Sequence, residues 1–205
     1  MKRLLSIVAV AASLNVFGQD VEKYGMENKD LPKGLEIGAQ APELTLMTSE
    51  GKEFSLSEAL EKGSVVVYFY RGNWCPYCTK QLANLSDSIN LITETGATVV
   101  AISPESPTQL EKSASTMEGE ILLLSDKDGE AMKSFDVDFY VTMAYQDKLA
   151  KGKEIDLAEF NEQDAAVLPV PATFVINQDG KIVYRYFDIN YKQRATVAAV
   201  LKALK

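Results

Sequence analysis

The sequence predicts an α/β domain with a central mixed β-sheet flanked by helices. In the first half of the chain, apolar strand patterns alternate with amphipathic helix patterns, which is typical of parallel strands joined by crossover helices. Near the end, two strand patterns flank the turn residues Asn177-Gln178-Asp179-Gly180, which predict an antiparallel hairpin in the same sheet. The 205 residues are enough for a single domain with a well-formed core.

Strands are predicted where β-branched and aromatic residues run together or alternate with polar ones. The segment 35–46 contains Pro42, which lacks an N–H donor, and it is therefore predicted to be an edge strand. The run 65–70 is apolar throughout and predicts a buried central strand. Further strands are predicted at 97–102, 121–124, 173–176 and 181–187.

Helices are predicted where apolar residues recur at steps of three and four. The longest such pattern follows the second cysteine and ends near Gly96, with its apolar face at Leu82, Leu85, Ile89 and Ile92. Shorter helices are predicted at 55–60 and 130–135, another from Ser106-Pro107, and a last one with its apolar face at 197–204.

The segment 138–168 lacks a strong period and is predicted to be an insertion, apart from a possible helix at 157–160. Its aromatic and apolar residues Tyr140, Met143 and Tyr145 fit either a partner-docking surface or a local core.

The first 18 residues predict a cleaved signal peptide. Lys2 and Arg3 form a basic start, residues 4–14 are mostly apolar, and Gly18 supplies a small residue for cleavage. We therefore expect an exported, periplasmic protein without stable membrane insertion after cleavage. The apolar run is too short for a permanent spanning helix, although an uncleaved anchor is an alternative. Residues 19–34 predict a linker or N-terminal arm that leads into the domain at 35–205.

The composition excludes some functions. The formal net charge of −8 argues against a nucleic-acid-binding protein, which would need a basic patch. The chain has no histidine, so the commonest general base and metal ligand is missing. With only two cysteines as soft ligands, a zinc site is improbable, and we expect neither a metal nor another cofactor.

The motif Trp74-Cys75-Pro76-Tyr77-Cys78 holds both cysteines and the single tryptophan of the chain. It follows a predicted strand and opens a predicted helix, which is typical of a redox-active dithiol. A structural disulfide is the alternative in an exported protein, but a bridge across so short a loop removes little entropy from the unfolded chain.

This arrangement resembles the thioredoxin fold and, more narrowly, the AhpC/TSA (peroxiredoxin-like) family with its TlpA-type exported relatives. The resemblance covers about residues 35–205. It is carried by Ile37-Gly38 with Ala41-Pro42, Gly51, Tyr68-Phe69-Tyr70, Cys75-Pro76, Leu124-Ser125-Asp126, Pro171-Ala172-Thr173-Phe174 and Asp179-Gly180.

The resemblance implies that Cys75 is the nucleophile and that Cys78 resolves the intermediate. Unpaired N–H groups and the dipole of the helix would favour a Cys75 thiolate, and Pro76 suits the first helical position because it has no N–H. The product is a Cys75–Cys78 disulfide, which a thioredoxin-like or small-thiol electron donor must reduce. Trp74 is expected to cover one side of the dithiol.

The sequence departs from both branches of the resemblance. Peroxiredoxins have Thr or Ser three residues before the nucleophile, where this chain has Gly72, and their arginine position falls on Pro171. Arg71 is a candidate to replace that arginine. In thioredoxins a cis-proline faces the dithiol, so Pro171 is expected to be cis and to present the backbone of Val170 to a substrate.

Two activities therefore follow from the resemblance. The first is an antioxidant thiol–disulfide oxidoreductase that reduces disulfides. The second is a thioredoxin-dependent peroxidase that reduces hydroperoxides through a sulfenic acid on Cys75.

Overall fold

A computed structural model of the chain describes residues 21–114 and 121–205. The predicted signal peptide therefore lies outside the described residues. Within the two described ranges, every helix is too short or too polar to cross a bilayer.

The described residues form nine strands, eight α-helices and a 3₁₀ turn at Glu22–Tyr24. The strands are β1 Thr45–Thr48, β2 Glu53–Ser55, β3 Val65–Phe69, β4 Thr98–Ser103, β5 Leu122–Ser125, β6 Asp138–Tyr140, β7 Val167–Pro169, β8 Ala172–Ile176 and β9 Ile182–Phe187. The helices are α1 Leu56–Leu60, α2 Pro76–Ser86, α3 Ile89–Thr93, α4 Pro107–Ala114, α5 Glu130–Ser134, α6 Met143–Lys153, α7 Leu157–Asn161 and α8 Val197–Ala203.

Seven of the strands in the described ranges form one mixed sheet in the order β2-β1-β5-β4-β3-β8-β9. Strands β3, β4 and β5 are parallel, and β8 and β9 add an antiparallel hairpin beside β3. The predicted α/β fold class with a central mixed sheet is confirmed.

The sheet separates two apolar layers because side chains alternate along each strand. Val65, Val67 and Phe69 of β3 belong to a cluster that α1 and α5 cover. Val66 and Tyr68 belong to the opposite cluster, which α2, α3, α4 and α8 cover and which includes both cysteines. The dithiol helix is therefore packed directly on the buried strand that precedes it.

Two predicted boundaries are wrong. Residues 35–44 are not strand, and β1 lies between β2 and β5 rather than at an edge. The long helix after Cys78 is two helices, because the chain turns at Asp87 and Ser88. The apolar residues on either side of this break stay on one buried face, so their spacing does not reveal it.

The insertion and the N-terminal arm form a third apolar cluster. The possible helix at 157–160 is confirmed as α7, but α6 lacks a clear sequence signal because its buried residues are only Tyr145 and Leu149. Val21 and Met26 of the arm are buried in the same cluster. The described part of the arm is therefore packed on the domain and is not a free linker.

We expect Met26→Ala to lower the free energy of unfolding by about 3 kcal/mol, because the side chain is 2% exposed and leaves a cavity. Chemical denaturation with circular dichroism measures this. The control is Met47→Ala, which removes the same group from a side chain that is 45% exposed and costs little. Equal effects of the two substitutions would contradict the packing of the arm.

Candidate active site

The dithiol lies at the start of α2. Cys75 is the N-cap residue and Pro76 is the first helical residue, as the sequence predicts. The carbonyl of Cys75 accepts hydrogen bonds from the N–H groups of Cys78 (2.9 Å) and Thr79 (3.1 Å). Both cysteines are free thiols, and they are only 1% and 0% exposed.

The pKa values of the two thiols are shifted in opposite directions. A hydrogen bond from the Cys78 side chain lowers the pKa of Cys75 most; burial opposes it, and the Arg71 and Arg194 charges lower the pKa further, to about 6. Burial raises the pKa of Cys78 well above its usual value. Cys75 is therefore the thiolate at neutral pH and Cys78 the proton donor.

Arg71 is a buried cation beside this thiolate. Its guanidinium lies 4.1 Å from the ring centre of Tyr191, 4.7 Å from Trp74 and 5.3 Å from Tyr145, and its Nη2 donates to the Tyr145 hydroxyl at 2.8 Å. Burial lowers the pKa of Arg71, but the Tyr145 hydroxyl and the Cys75 sulfur raise it, so the net shift is upward. The side chain therefore stays charged, although it is 1% exposed.

Gly72 stands where the resemblance would place a threonine or serine, and the structure leaves no room for a side chain there. Its φ is +131°, a backbone conformation that disfavours residues with a Cβ. A Cβ at this position would lie 2.6 Å from the indole nitrogen of Trp74. The indole of Trp74 thus occupies the space that a side chain at this position would need.

Glu105 holds the loop between β3 and α2. Its Oε1 accepts from the N–H of Asn73 (3.0 Å) and the hydroxyl of Ser113 (2.9 Å). Its Oε2 accepts from the hydroxyls of Tyr70 (2.7 Å) and Ser103 (2.9 Å). Four donors thus satisfy a fully buried carboxylate, and two of them lie on the loop that leads to Cys75.

Buried donors without partners gather around the dithiol. Six buried side-chain nitrogen or oxygen atoms of the described residues lack a hydrogen-bond partner. Four of the six are N–H groups of the site: Nε and Nη1 of Arg71, Nε1 of Trp74 and Nε of Arg194. Since an unsatisfied buried donor costs about 1–3 kcal/mol, such a group of donors indicates a site for an acceptor.

Val170 and Pro171 do not present backbone to a substrate as expected. No peptide bond among the described residues is cis, so the expected cis-proline is wrong. The N–H of Val170 donates to the carbonyl of Val137 at 2.7 Å, and its side chain is buried in the third cluster. That N–H is therefore already paired inside the domain.

Trp74 lies at the dithiol in the expected place. It packs against the cluster that contains both cysteines and also against the third cluster. Its ring covers Arg71, and its carbonyl accepts from Nζ of Lys153 at 3.0 Å. The tryptophan therefore joins the dithiol to the insertion.

Four side chains of the site have no motif in the sequence: Glu105, Tyr145, Tyr191 and Arg194. Tyr191 and Arg194 lie in the loop after β9, more than a hundred residues from the cysteines. Arg194 Nη2 contacts Cys78 Sγ at 3.5 Å. The only signal for Glu105 and Arg194 is a charge near the end of a predicted strand or helix, and such charges are common. Tyr145 and Tyr191 have no signal that separates them from other tyrosines of the chain.

Comparison with known proteins decides the family. Residues 37–185 match the AhpC/TSA family. The chain belongs to the AhpC/TSA family. A putative peroxiredoxin of Mycobacterium tuberculosis is 31% identical over 76% of this chain and 87% of its own length. Peroxiredoxin Bcp of Bacillus subtilis is 28% identical over 83% of this chain and 96% of its own length.

Solved structures show the same fold. Peroxidoxin BcpB of Mycobacterium tuberculosis superposes with a TM-score of 0.63 at 24% identity, over 83% of this chain and 94% of that one. This AhpC/TSA protein is thus a thioredoxin-fold, thiol-based oxidoreductase whose redox group is a cysteine pair rather than a prosthetic cofactor. The described residues also contain no cluster of three potential metal ligands.

The rate of Cys75 oxidation should follow a single ionisation near pH 6, because the thiolate reacts and the pKa is about 6. Stopped-flow fluorescence of Trp74 with excess peroxide measures the rate from pH 4.5 to 9. In Cys78→Ala the midpoint moves upward, since the main hydrogen bond to the thiolate is lost. Cys75→Ser should show no reaction. A wild-type rate that still rises above pH 8 would contradict the acidic thiol.

Two substitutions of Glu105 distinguish the contribution of its hydrogen bonds to stability from that of its charge. Glu105→Ala removes the acceptor of the Tyr70 and Ser103 hydroxyls and of the Asn73 N–H, and it should cost about 3 kcal/mol of unfolding free energy. In Glu105→Gln one oxygen still accepts, and the amide can donate to the two hydroxyls at the other position, so the cost should stay below about 1 kcal/mol. Chemical denaturation tests both, and similar losses would mean that the charge itself is required.

Proposed function

We propose that this protein reduces hydroperoxides through Cys75. The Cys75 thiolate attacks one peroxide oxygen, the O–O bond breaks, and the leaving alkoxide or hydroxide takes a proton from solvent. Cys75 becomes a sulfenic acid, which the Cys78 thiol attacks, so that a Cys75–Cys78 disulfide and water are formed. The sulfur loses two electrons and the peroxide gains them.

The buried guanidinium of Arg71 carries this proposal. Its Nε and Nη1 lack partners, and its charge lowers the pKa of Cys75. Two fixed donors beside a thiolate can hold a peroxide and stabilise the negative charge that develops on the leaving oxygen. Arg71, on the loop before Cys75, thus replaces the arginine that the resemblance would place at the position of Pro171.

The closed dithiol favours a small oxidising substrate. Cys75 is 1% exposed, and the Val170 N–H that an extended peptide would need is paired with Val137. Disulfide reduction, the first activity expected from the sequence, requires a larger partner to reach the same sulfur. The hydroperoxide reading therefore fits the geometry better.

The electron donor is proposed to be a thioredoxin-like protein or a small thiol, since the disulfide must be reduced for a second turnover. The basic and apolar pattern of residues 1–18 supports export to the periplasm. N-terminal sequencing of the protein from a periplasmic extract tests the export, and an intact first residue in the cytoplasmic fraction would contradict it.

Arg71→Met should slow peroxide oxidation about 100-fold, because both free donors and the charge are lost. The apolar side chain can still fill the space between the three rings. It should also move the pH midpoint of Cys75 upward, which loss of packing alone does not do. Stopped-flow Trp74 fluorescence measures both, with thermal unfolding as a check on the fold.

The matched control is Arg185→Met, which removes the guanidinium of a β9 residue whose ion-pair partner is Glu36. We expect its oxidation rate to equal that of the wild type. If the wild-type protein reacts with peroxide no faster than a free thiol does, the proposed function is wrong.

A further inference from the structure

A cavity lies beside α2, on the side of the dithiol where Arg194 contacts Cys78. It has a volume of about 550 Å³ and is bounded by one side of α2 and by the loop before α8. Residues from α2 include Tyr77, Lys80 and Leu85, and those from the loop include Lys192 and Arg194. This volume lies within the range of pockets for small ligands.

The cavity is positively charged in an acidic protein. Three cations line it, namely Lys80, Lys192 and Arg194, and none of its lining residues is a carboxylate. Within the described residues none of the three forms an ion pair. A cavity of this charge, in a chain with a net charge of −8, selects anions.

Arg194 connects the cavity to the dithiol. Its side chain lines the cavity, and its Nη2 lies 3.5 Å from Sγ of Cys78. Its Nε is buried without a partner, and Lys192 Nζ lies 5.7 Å from the ring centre of Tyr77, between the two cysteines in sequence. One cation of the cavity therefore contacts the second cysteine directly, and a second lies near the aromatic ring between the cysteines.

We propose that this cavity binds the electron donor, a small thiol that carries carboxylates, such as glutathione. The inference rests on the proposed function, because it concerns the reductive half of the same cycle. The three cations bind the carboxylates, and the amide side chains of Gln81 and Asn84 offer hydrogen bonds to the remaining polar groups.

Cys78 is buried, so the donor reaches its sulfur from the cavity by displacing the Arg194 guanidinium that contacts it. Its thiolate bonds to Sγ of Cys78, the Cys75–Cys78 bond breaks, and the electron pair leaves on Cys75. A low thiol pKa makes a good leaving group, and Cys75 has the lower pKa of the two cysteines. A second thiol then attacks the mixed disulfide, releases the small-molecule disulfide, and leaves Cys78 to take up a proton.

The test compares an anionic thiol with a neutral one. Wild-type protein is oxidised with diamide, so the reductive step stays measurable even if peroxide reduction fails. Trp74 fluorescence then gives the rates of reduction by glutathione and by 2-mercaptoethanol. In the double variant Lys80→Gln/Lys192→Gln the ratio of the two rates should fall about fivefold. Mass spectrometry of an acid-quenched reaction should place glutathione on Cys78.

The matched control is Lys62→Gln/Lys202→Gln, which removes two exposed lysines outside the cavity and should leave the ratio unchanged. An unchanged ratio in the Lys80/Lys192 variant would overturn the proposal, as would a mixed disulfide found only on Cys75. Rapid reduction by thioredoxin with no preference for the anionic thiol would also overturn it. Peroxide oxidation is measured separately, so failure of the peroxidase function is distinguished from failure of this site.

Discussion

The site depends on keeping a guanidinium charged inside the protein. Removing Arg71 from water is costly, and the chain offsets that cost with three aromatic faces, the Tyr145 hydroxyl and the adjacent Cys75 thiolate. The three rings come from distant parts of the chain: Trp74 from the dithiol motif, Tyr145 from α6 of the insertion, and Tyr191 from the loop after β9. The insertion and the late loop are therefore structural parts of the active site.

A buried carboxylate opposes this cation at the other side of the same loop. Glu105 binds the Tyr70 hydroxyl and the Asn73 N–H, so the loop is held on both sides of Arg71 and Gly72. Such a fully satisfied polar network defines one conformation, because any shift would leave a buried donor unpaired. The thiolate, its counter-charge and the backbone between them are thus held by the same set of contacts.

The fold and the dithiol could be predicted from sequence because each has a local signal. The apolar run of β3, the alternation of strand and helix, and the spacing of Cys75 and Cys78 are all visible within a few residues. The surroundings of the dithiol could not be predicted from the sequence, because Tyr191 and Glu105 reach the site through tertiary packing. The predicted cis isomer of Pro171 is also wrong, and the N–H of Val170 is paired with Val137, a tertiary contact that no local pattern reports.

Arg71 and Cys75 lie four residues apart on one braced loop, so the charge that helps to lower the pKa of Cys75 comes from the loop that carries the cysteine itself. The loop 188–196 helps to cover the site, since Tyr191 packs on the Arg71 guanidinium and Arg194 contacts Cys78. One short loop therefore contacts both the buried cation and the second cysteine. A movement of this loop would therefore change the surroundings of Cys78 and the aromatic cover of Arg71 together.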